Sequence, residues 1–83
     1  MKIQKIELDK SGKPKNVTIK MTATEALFIA HAIGETNYEH HQSILTDGGD
    51  IARSINTVLN RDLFRPFYED GIFEAKKEHE NRR

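Results

Sequence analysis

The sequence predicts an α+β fold: an N-terminal two-stranded antiparallel β-hairpin packed on two main α-helices, followed by a short polar helical C-terminal tail. Three observations predict it. Residues alternate apolar and polar over IQKIEL and NVTIKM, a capping box opens ALFIAHAI, and apolar residues recur at helical spacing from Ile51 to Leu63.

The hairpin comes first. Gln4, Ile6 and Leu8 share one face of the first strand, while Lys5 and Glu7 point the other way. In the second strand Val17, Ile19 and Met21 alternate with Thr18 and Lys20, the pattern of a half-buried strand. Between them, DKSGKPK is a run of turn formers in which Gly12 can take positive φ and Pro14 cannot donate to a ladder. Two strands alone are marginal in water, so a helix is expected to cover the apolar face.

The first helix starts at Thr22-Ala23-Thr24-Glu25, which fits the capping-box pattern. Ala26, Ile29, Ala30 and Ile33 form the stripe expected to pack on the hairpin. Phe28 falls on the opposite side, covered by Phe64, Phe67 or Phe73 or else offered to a partner. A helix over 23–36 and a second helical stretch over 38–45 keep Asn37, His40 and His41 out of an apolar stripe. Gly48-Gly49 reads as a turn, with Asp50 as the N-cap of the next helix.

The last clear helix carries Ile51, Ile55, Val58, Leu59 and Leu63 at i, i+4, i+7, i+8 and i+12, and Pro66 ends or kinks it near Phe64 and Arg65. The predicted core is Ile6, Leu8, Val17, Ile19, Met21, Ala26, Ile29, Ala30, Ile33, Ile51, Ile55, Val58, Leu59 and Leu63. Residues 1–75 are expected to form a single domain and residues 76–83 a polar tail, either a solvated helix or a frayed end.

Size and composition narrow the function. Eighty-three residues allow one small core and a thin margin of stability. Cysteine is absent, which excludes disulfides, thiolate metal sites and a cysteine nucleophile, and favours a cytoplasmic setting. The opening MKIQKIELDK has no long apolar run, so no signal peptide is expected, and no stretch reaches the about 18 apolar residues of a membrane span. The net charge is zero but sorted. Residues 1–22 hold six lysines against two acids (+4), residues 23–50 five acids and no Lys or Arg (−5), and residues 51–83 seven bases against six acids (+1). Such sorting implies patches of opposite sign, which can bind partners or each other across a twofold axis.

The segment YEHHQSILTDGGD invites a metal reading that its spacing does not sustain. His40 and His41 are adjacent and so diverge by about 100° on a helix, and His31 lies about 13.5 Å away along a continuous axis. The zinc-protease and calcium-loop spacings are missing. Catalysis could draw on His41 with Asp47 or Glu39, and on Ser43 or Ser54, but no nucleophile elbow or phosphate loop frames them. No catalytic residue, metal or cofactor is therefore assigned.

Two binding readings remain. The favoured one is a small non-enzymatic protein-binding module that acts stoichiometrically on a larger protein with a basic surface. Its surface is the acidic middle segment with aromatic anchors, namely Phe28, Glu35, Tyr38, Glu39, Asp47 and Asp50. Self-association as a homodimer draws on the same sorted charges and open strand edges. The alternative is a nucleic-acid accessory protein using Lys5, Lys10, Lys13, Lys15 and Lys20 of the hairpin with Arg53 and Arg61 of the last helix. Neutral net charge and the acidic middle block weigh against it. In style, being short, cysteine-free and hairpin-then-helices, the chain resembles small accessory proteins of bacteriophages and mobile elements. That likeness rests on no specific motif and implies an inhibitor or regulator.

Overall fold

The computed structural model describes residues 1–82 and has an α+β architecture, a hairpin followed by four helices. Strands β1 (Lys2–Leu8) and β2 (Pro14–Lys20) pair antiparallel as a two-stranded sheet. Helices α1 (Ala23–Gly34), α2 (Tyr38–Ile44) and α3 (Gly48–Val58) come next. Without a break α3 passes into a π-helical stretch, Leu59–Phe64, giving a rod of 17 residues, and α4 (Ile72–Asn81) closes the body.

The hairpin turn is organised by Asp9, whose carboxylate accepts from the Ser11 hydroxyl at 2.6 Å, the Ser11 N–H at 2.9 Å and the Lys13 N–H at 3.0 Å. Gly12 takes φ +84° beside it, a conformation that suits glycine. The ladder contains two irregularities. Ile3 pairs with Ile19 and Lys5 with Thr18, so Gln4 is the extra residue; Glu7 pairs with Asn16 and Leu8 with Pro14, so Lys15 is extra. Each bulge resets the alternation. Ile3, Ile6, Leu8, Pro14, Val17 and Ile19 consequently share one face, while Lys5, Glu7, Asn16 and Thr18 share the other. On that polar face Lys5 pairs with Glu7 at 3.5 Å and Asn16 donates to Glu7 at 3.1 Å. The expected grouping of Gln4 with Ile6 and Leu8 is thus corrected to Ile3, because a bulge breaks the period-2 rule.

A larger correction concerns what covers that face. Among the described residues the hairpin packs on no helix, and Ile3, Ile6, Leu8, Val17 and Ile19 remain 41–61 % exposed. It is an arm, tied to the body by the chain and by the Met1 amino group on Glu25 at 2.7 Å.

The core lies in the helical body instead. Ala26, Leu27 and Ala30 of α1 meet Phe64 and Ala75, with Met21, Leu59, Leu63, Tyr68 and Ile72 around them. Of the predicted core, Ala26 and Ala30 are buried, and Met21, Ile29, Ile33, Leu59 and Leu63 are half-buried. Ile51, Ile55 and Val58 face solvent at 40–45 % exposure. The rod presents the neighbouring row inward, Gly49, Ala52 and Asn56, with Asn56 Nδ2 donating to the Ala30 carbonyl at 3.1 Å. Small residues on that row let helices approach closely, whereas the isoleucine row would hold them apart.

Two further expectations change. Gly48 and Gly49 belong to the first turn of α3, Asp47 rather than Asp50 occupies the N-cap position, and no side chain caps it. The glycines are required by close approach: a Cβ at Gly48 would run into the His41 carbonyl, and one at Gly49 into the Tyr38 ring. The polar C-terminus is helical from Ile72 and docks through Ala75 on α1. Its final residue, Arg83, lies outside the described residues. Thr22 caps α1 in the reciprocal arrangement anticipated, and α1 ends at Gly34 before a separate α2.

Candidate functional site

Two recesses in the helical body collect five of the candidate binding side chains singled out in the sequence, Phe28, Glu35, Tyr38, Arg53 and Arg61. The first lies between α1 and α4 and holds about 410 Å³. Phe28, His31 and Glu35 project from one face of α1 because they are spaced by three and four residues, and Lys76 and His79 come from α4. Phe28 is 74 % exposed, so none of Phe64, Phe67 or Phe73 covers it. Phe64 is buried in the core, while Phe67 and Phe73 are themselves exposed. The His31 ring is fixed between helices: Nε2 lies 3.3 Å from the Ile72 carbonyl, and the Phe73 ring stands edge-on with centroids 6.1 Å apart.

The second recess is a cleft of about 730 Å³ between α1, the 48–64 rod and the start of α4. Arg53, Arg61 and Arg65 line it with Asn56 and Asn60, opposite Asp70. Arg61 is held by Asp62, with Nε to Oδ1 at 2.7 Å and Nη2 to Oδ2 at 2.9 Å. That bidentate pair pushes the Asp62 carboxyl below its usual range and raises the guanidinium further. The Arg53 guanidinium lies 5.6 Å from the centre of the Tyr38 ring, a cation–π contact. Tyr38 in turn donates to Asp50 at 3.3 Å.

The acidic and aromatic set read from the sequence is therefore divided. Phe28 and Glu35 share the α1–α4 recess; Tyr38 is drawn away toward α3 and Asp50. Glu39 and Asp47 are exposed and line neither recess. Arg53 and Arg61 do come together, whereas Lys5, Lys10, Lys13, Lys15 and Lys20 stay on the hairpin arm and line neither recess. Sequence reasoning missed Arg65. Its four-residue spacing from Arg61 is visible in the sequence, but on a regular helix the row Arg53, Thr57, Arg61, Arg65 would drift around the axis, so spacing alone does not place it in the cleft.

The adjacent histidines of α2 diverge: His41 lines the second recess with its Nε2 against the Thr36 hydroxyl, and His40 is exposed. Among the described residues, no group of three or more His, Asp or Glu side chains could hold a metal ion, and no helix is long and apolar enough to cross a membrane. No protein-family model, curated protein or solved structure matches the chain.

Proposed function

We propose that this chain is a small non-enzymatic protein-binding module, an inhibitor or regulator that associates stoichiometrically with a larger protein. The observation that carries this reading is the hairpin face formed by Ile3, Ile6, Leu8, Val17 and Ile19, apolar throughout and uncovered. A two-stranded sheet in water gains too little burial to hold itself, and a contiguous apolar patch marks an interaction surface. Exposed Phe28 supplies a second anchor, an aromatic ring on a recess rimmed by Glu35 and Lys76.

The test compares what wild type retains from a bacterial extract with what Val17→Lys and a Glu35→Lys/Glu39→Lys variant retain. One protein in stoichiometric amount is expected with wild type, lost in both variants, with helical circular dichroism and melting temperature unchanged. Equal recovery by the variants, or no stoichiometric partner at all, would contradict the reading.

A second reading has its own observation. Ile51, Ile55 and Val58 form another uncovered apolar row, beside the acidic Asp47 and Asp50, and the hairpin that would suit it is basic. A second copy of the chain could lay its hairpin there. Light scattering that gives a dimer mass, reduced to a monomer by Val17→Lys, would favour this homodimer over the larger partner.

A further inference from the structure

The arginine cleft is distinct from the surfaces just described and has a geometric cause. Arg53, Thr57, Arg61 and Arg65 are spaced by four residues, and in a regular α-helix such a row drifts about 40° per step around the axis. Carried through three steps, that drift would turn Arg65 away from Arg53. Between Leu59 and Phe64 the rod is instead π-helical, with the Arg65 N–H donating to the Asn60 carbonyl at 2.7 Å, five residues back. A π-turn holds more residues per turn and takes back the drift. All four side chains then line one cleft. Gly71, at φ +62°, packs closely against Asn60 of this cleft, since a Cβ there would strike Asn60 Oδ1.

The charges facing the cleft are unbalanced in a chain whose net charge is zero. Among the described residues, three guanidinium groups meet a single lining carboxylate, Asp70. Arg61 is already engaged by Asp62, but among the described residues Arg53 and Arg65 pair with no carboxylate. Arg53 is held over the Tyr38 ring, which orients the guanidinium plane without neutralising it. Guanidinium forks match the oxygens of phosphate, and Asn60 and Thr57 add hydrogen-bonding groups between them. Tyr38, Phe73, Ile33 and Ile72 give the rest of the wall an aromatic and aliphatic part, beside His41 and Asn56. The cleft's volume of about 730 Å³ is that of a small-ligand site.

We infer that this cleft binds a phosphate ester carrying a flat, partly apolar group, which is the chemistry of a nucleotide unit. Arg65, beside Arg61 and Asn60, holds the phosphate, and the Tyr38 side of the cleft, where Arg53 is held about three turns further along the rod, receives the base. The same unit can be a free nucleoside phosphate or one residue of a single strand, and the two sources differ in length and in charge.

The test is a chemical-shift titration of the intact, ¹⁵N-labelled protein with adenosine monophosphate and, separately, with a short single-stranded oligothymidylate. Saturable shifts are expected at the side-chain amides of Asn56 and Asn60 and at Arg53 and Arg65 Nε, with Arg65→Gln weakening the affinity about tenfold or more. Arg65 is exposed, so this variant keeps the fold. Saturation by the monophosphate alone assigns a free nucleotide; saturation by the oligomer with steep loss as salt rises assigns a strand. No saturation by either probe at millimolar concentration, shifts confined to the hairpin lysines, or wild-type affinity in Arg65→Gln would each overturn the inference.

Discussion

The Glu25 carboxylate accepts from two donors at once, the chain's amino group at 2.7 Å and the Thr22 backbone N–H at 2.9 Å, while Thr22 Oγ1 accepts from the Glu25 N–H. Hydrogen bonding to the charged amino group is the larger cause, the capping bond the second, and together they bring its pKa down to about 2. The sign is set by linkage. A carboxyl whose folded pKa lies below its unfolded value stabilises the native state above the ordinary carboxylate range, and that contribution disappears as the pH falls through the folded value. Here the window runs from the usual glutamate range down to about 2. A carbon-detected titration of the Glu25 carboxyl should place its midpoint near the low end of that window, and acetylation of the amino terminus should raise it. A midpoint at the ordinary glutamate value in the unmodified protein would show that the pair does not form in solution.

At the scale of elements, the contact between α2 and α3 depends on two positions without a side chain. A methyl group at Gly48 meets the His41 backbone carbonyl, which cannot swing aside, whereas one at Gly34 meets only Asn56 Nδ2 at 3.9 Å. Gly48→Ala should therefore destabilise by about 1–3 kcal/mol through overpacking. Gly34→Ala should stabilise by about 0.4–1 kcal/mol, since the helical backbone there accepts alanine and the unfolded chain loses freedom. Thermal melts of both variants check this: shifts of the same sign would contradict the packing described. The elements themselves were legible wherever the information is local, as in the Thr22–Glu25 capping box, the alternation around Ile6 and Val17, and the stop at Pro66. What periodicity could not supply was registry. A bulge at Gln4 or Lys15 is one residue that pairs with nothing, and no alternation rule announces it. Likewise the isoleucine row of α3 is a sound amphipathic stripe, yet the face turned inward is the one small enough to let Tyr38 sit on Gly49 and Asn56 reach Ala30. The cleft was half legible for a related reason: Arg53 and Arg61 stood out on a regular helix, while Arg65 joins them only through a π-turn that a 3.6-residue period does not contain.

For the whole molecule, the governing fact is that apolar surface and charge are both divided. The Cα radius of gyration is 14.8 Å and the extents are 47 × 31 × 22 Å. A compact chain of this length would have a radius of gyration of about 12 Å. An extended shape is what a hairpin arm standing off a helical body produces. The arm carries six of the eight lysines and an apolar face; the body carries the acidic block, the exposed Phe28 and the isoleucine row. Of the core predicted from the sequence, Ala26 and Ala30 are buried in the body, while the hairpin residues Ile6, Leu8, Val17 and Ile19 and the row Ile51, Ile55 and Val58 stay exposed. The central claim is that another protein chain covers the hairpin. Its most direct test is residue-resolved amide hydrogen exchange on the purified protein at a concentration where it is monomeric. Ile6, Val17 and Ile19 should exchange nearly as fast as in an unfolded peptide, while Ala26, Leu27 and Ala30 are protected by orders of magnitude. Protection of the hairpin equal to that of α1 in the monomer would mean that the chain covers its own apolar face, and would contradict the need for a partner.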